Sequence, residues 1–149
     1  MWKSNKILVV DDEIEICQML SRHFRFLGYD VAYVHDGVEA LEYLNTNKID
    51  VVISDIMMPK MDGVTLLKKI RDEYPMIHVI IITGYISLDN ALCCMRRKAD
   101  TFIFKPLNDL SELETAVATA IENIDNWKNK FLQLRGMKRD YQEGSDGII

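Results

Sequence analysis

Hydrophobic positions along the chain follow two alternating rhythms. Five short runs, Lys6–Val10, Asp30–Val34, Val51–Ser54, His78–Thr83 and Thr101–Phe104, are rich in valine and isoleucine, and three are nearly continuous in apolarity. Such runs suit strands covered on both faces, as in a parallel sheet. The segments between them repeat at three and four. Ile14, Cys17, Leu20, Phe24 and Leu27 mark one helix, with Gly28 as its C-terminal cap. Asp36-Gly-Val-Glu39 reads as a capping box opening a second, whose core side is Val38, Leu41 and Leu44. A third runs from about Val64 to Glu73 and stops before Pro75. Ser87 caps a fourth, with Ala91, Cys94 and Met95 facing inward, and a long fifth begins between Asn108 and Ser111. Strand–helix alternation repeated five times, with right-handed crossovers, predicts a doubly wound α/β fold.

The last helix carries a pattern of its own. Leu110, Leu113, Val117, Ala120, Ile124, Trp127, Phe131 and Leu134 step by three and four without a break, the a/d spacing of a coiled coil. The sheet consumes the first half of this stripe, and the second half is expected to mediate self-association, the alternatives being a helix that folds back on its own domain and a linker helix to an output domain. The expected division is therefore a domain over 1–123, a helical extension over 124–135, and a flexible tail or linker start over 136–149.

Composition narrows the classes. With 149 residues and 48% hydrophobic, the chain is one globular domain with a short appendage. Lys and Arg total 18 against 23 Asp and Glu, a net charge of −5. That balance gives no general pull toward nucleic acid or anionic membrane. Arg96-Arg97-Lys98 reads as a solvated helix end. No apolar stretch approaches the ~18 residues of a membrane span, and the start lacks a signal peptide's apolar region. Cys17, Cys93 and Cys94 lack CxxC spacing and His23, His35 and His78 lack ligand spacing, so buried thiols in a reducing cytoplasm are expected.

In sheets of this kind ligands bind beyond the carboxyl ends of the strands. The first strand ends in Asp11-Asp12-Glu13, the third in Asp55, the fourth in Thr83-Gly84 and the fifth in Lys105-Pro106. Clustered carboxylates repel unless a cation sits among them, and oxygen-only ligands favour a hard ion such as Mg2+. A metal with open positions suits phosphoryl transfer. Lys105 adds a positive point charge, Thr83 a hydroxyl, and Gly84 a backbone N–H that a phosphoryl oxygen can approach. Asp55, at the end of a dry strand, is the best placed nucleophile.

On the residues Val9-Val10-Asp11-Asp12-Glu13, Asp55-Ile-Met-Met-Pro-Lys-Met-Asp-Gly63, Ile82-Thr83-Gly84 and Phe104-Lys105-Pro106, the chain resembles the CheY-like receiver domain of bacterial two-component response regulators, from about Lys6 to Ile121. Each motif alone is weak; their order and spacing together are specific. The resemblance implies a five-stranded parallel sheet of order 2-1-3-4-5 flanked by five helices. It implies that Asp55 accepts a phosphoryl group from a sensor histidine kinase or a histidine phosphotransfer domain. It also implies that Asp11, Asp12, Asp55 and the backbone carbonyl of Met57 hold Mg2+, and that Lys105 and Thr83 bind the phosphoryl group with the backbone N–H groups of Met57 and Gly84. Thr83 and Phe102 would form the switch, and the Lys105–Pro106 bond would be cis.

A departure from the family pattern is Lys98-Ala99 where Gly-Ala is usual, which places a lysine at a helix end that prefers positive φ. The alternative reading is a Mg2+-dependent aspartyl-phosphate phosphatase of the haloacid dehalogenase kind. That class expects Asp-x-Asp after the first strand with the nucleophile inside it, whereas here the sequence is Asp11-Asp12-Glu13 and the nucleophile candidate lies on the third strand. A DNA-binding output module would need ~60 further residues.

Overall fold

Residues 5–146 are described by the computed structural model, with side chains described as far as Met137. Ten elements alternate: β1 (Lys6–Val10), α1 (Ile14–Phe26), β2 (Asp30–Val34), α2 (Gly37–Thr46), β3 (Val51–Ser54), α3 (Gly63–Glu73), β4 (His78–Thr83), α4 (Leu88–Arg96), β5 (Thr101–Phe104) and α5 (Ser111–Asp146). The five strands form one parallel sheet in the order β2-β1-β3-β4-β5. Residues alternate between the two faces, so each strand feeds two cores. Ile7, Val9, Ile53, Ile80, Ile82 and Ile103 pack on α1 and α5 through Cys17, Leu20, Phe24, Leu113, Val117 and Ile124. Leu8, Val10, Val52, Val79 and Ile81 pack on α2, α3 and α4 through Ala40, Leu44, Leu66, Leu67, Ile70 and Cys94. This two-sided burial explains why the strands are almost wholly apolar.

Caps fix where the helices begin. The carboxylates of Asp36 and Asp62 accept from the N–H groups of Glu39 and Thr65, both at 2.8 Å, and Ser87 Oγ accepts from Asn90 at 3.1 Å. The return half of the expected capping box is displaced by one residue, because Glu39 accepts from the N–H of His35 at 3.0 Å. The ends of α1 and α4 close in the same way. Tyr29 N–H reaches Phe24 O and Ala99 N–H reaches Cys94 O, both at 3.0 Å, around a residue with positive φ. In α1 that residue is Gly28 (φ 98°); in α4 it is Lys98 (φ 60°). The Lys105–Pro106 bond is cis.

Helix faces differ in detail from the sequence reading. Ile14, Leu27, Val38 and Met95 are exposed, and Met95 is 64% so. Ala40 and Cys93 contribute to the core instead. Each overturned residue lies at a helix end or one step round the helix from the sheet, where a three-or-four spacing does not distinguish flank from floor.

Helix α5 runs without interruption through Gly136, where the sequence reading ends regular structure. A lone glycine in an exposed helix costs only about 1 kcal/mol relative to alanine and stops nothing by itself. The side chain of Ile124 is the last to reach the core, whereas Trp127, Phe131, Leu132, Leu134 and Met137 are exposed. As far as Met137, the last described side chain, the extension does not fold back on the domain. The expected tail beyond Asp146 and the opening residues 1–4 lie outside the described residues.

Candidate functional site

Strand register assembles the site. Val10 is in register with Ser54, so the next residues, Asp11 and Asp55, leave the sheet side by side. Asp55 N–H still donates to Val10 O at 3.0 Å, and Asp11 N–H to Val34 O at 3.2 Å. Thr83 is in register with Phe104, and Lys105 N–H donates to Thr83 O at 2.9 Å, which sets Lys105 beside Gly84.

The ammonium of Lys105 joins three carboxylates. Its Nζ lies 2.8 Å from Glu13 Oε1, 2.9 Å from Asp55 Oδ2 and 3.0 Å from Asp11 Oδ2. Burial alone would lower its pKa, but the bonds to Glu13, Asp55 and Asp11 outweigh burial and raise it, so the cation is held charged. Asp11 is fully buried, and its pKa is raised because burial outweighs the Glu13 N–H bond and the attraction of Lys105. Among the described residues the partner of Asp11 Oδ2 is the Lys105 ammonium, in an ion pair at 3.0 Å. One carboxylate oxygen each from Asp11, Asp12 and Asp55 fall within 4.8 Å of one another, with Asp12 exposed and the other two buried. Three carboxylates gathered this closely, two of them buried, make an all-oxygen donor set that fits a hard divalent cation such as Mg2+.

The other expected residues line the same rim. Asp55 Oδ1 accepts from the N–H of Ile56 at 2.7 Å and from that of Met57 at 3.4 Å. Thr83 is buried, and its hydroxyl donates to Tyr85 O at 2.7 Å rather than to any group of the acidic cluster. A Cβ on Gly84 would meet only Lys105 Cβ, at 3.9 Å, so the packing there tolerates a side chain and the opening above Gly84 is free. Phe102 is half-buried against the α2–α3–α4 core.

Three contributions were not singled out from sequence. Glu13 belongs to the acidic run, but its bond to Lys105 spans 92 residues and has no local signal. Cys17 Sγ and His35 Nδ1 converge on the main-chain carbonyl of Asp11, at 3.2 and 3.3 Å. The Cys17 thiol is pushed up to about 11, by burial first and then by the charge of Asp11, so it stays protonated. Gly63 lies against the turn after β3, where a Cβ would stand 2.1 Å from Asp55 O, and its N–H donates to Ile56 O at 2.9 Å. The Asp62-Gly63 pair is the one sequence clue to that close approach.

An α/β fold of this topology, with acidic residues at the ends of β1 and β3 and a lysine after β5, defines a class of phosphorylation-type signalling domains. Residues 7–118 match the profile of the response regulator receiver domain, and the chain belongs to that family. It is 39% identical over 115 residues to the transcriptional regulatory protein ZraR of Klebsiella oxytoca, covering 77% of this chain and 26% of that protein. It is 36% identical over 135 residues to the DNA-binding transcriptional regulator NtrC of Escherichia coli K12, covering 90% of this chain and 29% of that one. The chain thus spans about a quarter of the length of these curated relatives. Among solved structures, the signal receiver domain of an HD domain-containing protein from Pseudomonas fluorescens Pf-5 superposes with a TM-score of 0.79 at 31% identity, covering 83% of this chain and 99% of that one. The response regulator TrrA of Thermotoga maritima, in complex with Mg2+ and BeF, superposes with a TM-score of 0.71 at 31% identity over 78% of this chain and 98% of that one. The phosphatase alternative gains no support from any of these. Among the described residues no helix is long and apolar enough to cross a membrane.

Proposed function

We propose that Asp55 is the phosphoacceptor of a cytoplasmic two-component relay, and that a sensor histidine kinase or a histidine phosphotransfer domain supplies the phosphoryl group. The observation that carries this reading is the contact of Lys105 with both Asp55 and Asp11, a cation fixed between two buried carboxylates at the sheet edge. A carboxylate oxygen of Asp55 forms a bond to phosphorus as the phosphorus–nitrogen bond to the donor histidine breaks, and the imidazole leaves with a proton. Asp11, Asp12, Asp55 and the backbone carbonyl of Met57 would hold Mg2+, which supplies charge neutralisation on the phosphoryl oxygens.

Lys105 follows the charge as it passes from the carboxylate to the phosphoryl group. The main-chain N–H groups of Met57 and Gly84 face the added oxygens. Thr83 exchanges its bond to Tyr85 O for one to the phosphoryl group, and Phe102 turns behind it as the second part of the switch. The chain catalyses its own phosphorylation and dephosphorylation and otherwise acts by binding. The unburied half of α5 serves self-association.

Labelling with a small phosphodonor and Mg2+, followed by intact mass, tests the assignment. One acid-labile phosphoryl group, also released by hydroxylamine, is expected on the chain and none on Asp55→Asn; persistent labelling of that variant would move the acceptor elsewhere.

A further inference from the structure

The turn between β2 and α2 touches both acidic loops from outside the site. His35 Nδ1–H donates to the main-chain carbonyl of Asp11 at 3.3 Å. One residue on, Asp36 is a carboxylate only 4% exposed. Its Oδ1 caps α2 by accepting from Glu39 N–H at 2.8 Å, and its Oδ2 pairs with Lys60 Nζ at 3.4 Å. Gly37 then packs under Met61, whose Cβ and Cγ would stand 3.0 Å from a Cβ added there. Asp11 opens the loop after β1, while Lys60 and Met61 belong to the loop between β3 and α3 that carries Met57.

The β3–α3 loop is shaped for that contact. Its base is closed by Gly63 N–H, which donates to Ile56 O at 2.9 Å. At its tip Lys60 takes a left-handed conformation, φ 66°, which a residue with a Cβ holds only where its surroundings impose it. The Lys60 side chain is itself exposed, so burial does not impose it. The seat of Met61 on Gly37 and the ion pair to the buried Asp36 do.

We infer that the His35-Asp36-Gly37 turn is the positioning element of the divalent-cation site, holding the Asp11–Asp12 loop and the Met57 loop at the separation a small cation requires. The inference rests on the Mg2+ reading proposed above and adds residues that are not among the ligands named there. Groups that fix a metal's ligands in place set its affinity much as the ligands themselves do. Mg2+ demands near-ideal octahedral geometry, whereas Ca2+ accepts a larger and more flexible shell of oxygens. A loop spacing held from outside therefore favours Mg2+, and slack in the turn costs Mg2+ more than it costs Ca2+.

Calorimetric titration of the full chain with Mg2+ and with Ca2+, at a temperature where every variant is folded, tests it. Asp36→Asn keeps a side-chain oxygen for the α2 cap, and Lys60→Met keeps the aliphatic stem without the charge. Each is expected to weaken Mg2+ binding about threefold, the scale of one ion pair, with Ca2+ less affected, and the double variant to be no weaker than either. Charge alone would move the two in opposite directions, since losing a nearby anion weakens cation binding and losing a nearby cation strengthens it. His35→Phe, which removes the donor to Asp11, should weaken Mg2+ binding by a similar factor. Unchanged Mg2+ affinity in any single variant, opposite shifts for Asp36→Asn and Lys60→Met, additive losses in the double variant, or equal losses for Mg2+ and Ca2+ would overturn the inference. A wild-type chain that takes up no Mg2+ would end the metal reading along with it, so the two failures are told apart by the wild-type titration.

Discussion

The hydroxyl of Thr83 donates to the main-chain carbonyl of Tyr85 at 2.7 Å, and the N–H of Tyr85 donates back to the Thr83 hydroxyl oxygen at 3.3 Å. This two-residue clasp holds Thr83 away from the phosphoacceptor and ties its position to the loop before α4. Thr83→Ala removes the clasp and the group that would exchange it. The variant is expected to accept a phosphoryl group on Asp55 as wild type does, yet to lose the change at the β4–α4 loop. Amide chemical shifts of residues 84–90 with and without beryllofluoride check this; undiminished shifts in the variant would exclude Thr83 as the switch.

Asp11 gives a signed pH dependence. Its pKa is raised above the ordinary value of 3.8 by burial, so the folded state disfavours the charged form and is less stable wherever Asp11 is ionised. The penalty is present at neutral pH and fades as pH falls through the raised value. Without metal, Asp11→Asn should therefore melt a few degrees above wild type at pH 7, and the two curves should converge on acidification. With Mg2+ the order should reverse, since only the wild type gains from binding.

Asp12 is exposed and contributes to the carboxylate cluster without being buried in it. Asp12→Ala should weaken Mg2+ binding and slow phosphorylation while leaving metal-free stability unchanged or higher. Calorimetric Mg2+ titration beside a metal-free melt checks both parts.

Lys98 occupies a left-handed conformation (φ 60°) in the same capping bonds that Gly28 makes at the end of α1. Lys98→Gly is expected to stabilise the fold by about 1 kcal/mol, because glycine meets no Cβ penalty there. A urea denaturation midpoint that does not rise would show the strain to be absent.

Gly63 has no such freedom to change. A Cβ at 2.1 Å from Asp55 O forces the backbone of α3 and of the β3 turn apart. Gly63→Ala should cost about 1–3 kcal/mol, the range of an overpacked site, and slow phosphorylation more than its lost stability explains. Initial labelling rates, measured where both proteins are fully folded, separate the two effects.

The bounds of β1, β3 and β4 were legible from sequence because valine and isoleucine runs buried on both faces leave little choice of period, and those of the edge strands β2 and β5 because short β-branched and aromatic runs stand between helical patterns. Asp11, Asp12, Asp55, Thr83 and Lys105 were legible for a topological reason, since strand ends on one sheet edge converge whatever the side chains do. The bonds of Lys105 to Glu13 and of His35 to the Asp11 carbonyl were not, as each joins elements far apart in the chain, and that of Cys17 was not, because a thiol inside an apolar helix stripe reads as packing. Gly136 misled in the other direction, since local propensity is a weak term against a helix already anchored by its first half on the sheet.

The length of α5 has a mechanical consequence. Its 36 residues make a rod of about 54 Å, fixed to the sheet only as far as Ile124. The stretch beyond Ile124 is a lever arm of about 33 Å, so a tilt of about 5° where the helix leaves the sheet carries its far end some 3 Å sideways. A tilt too small to alter the core packing is thereby magnified at the far end of the helix.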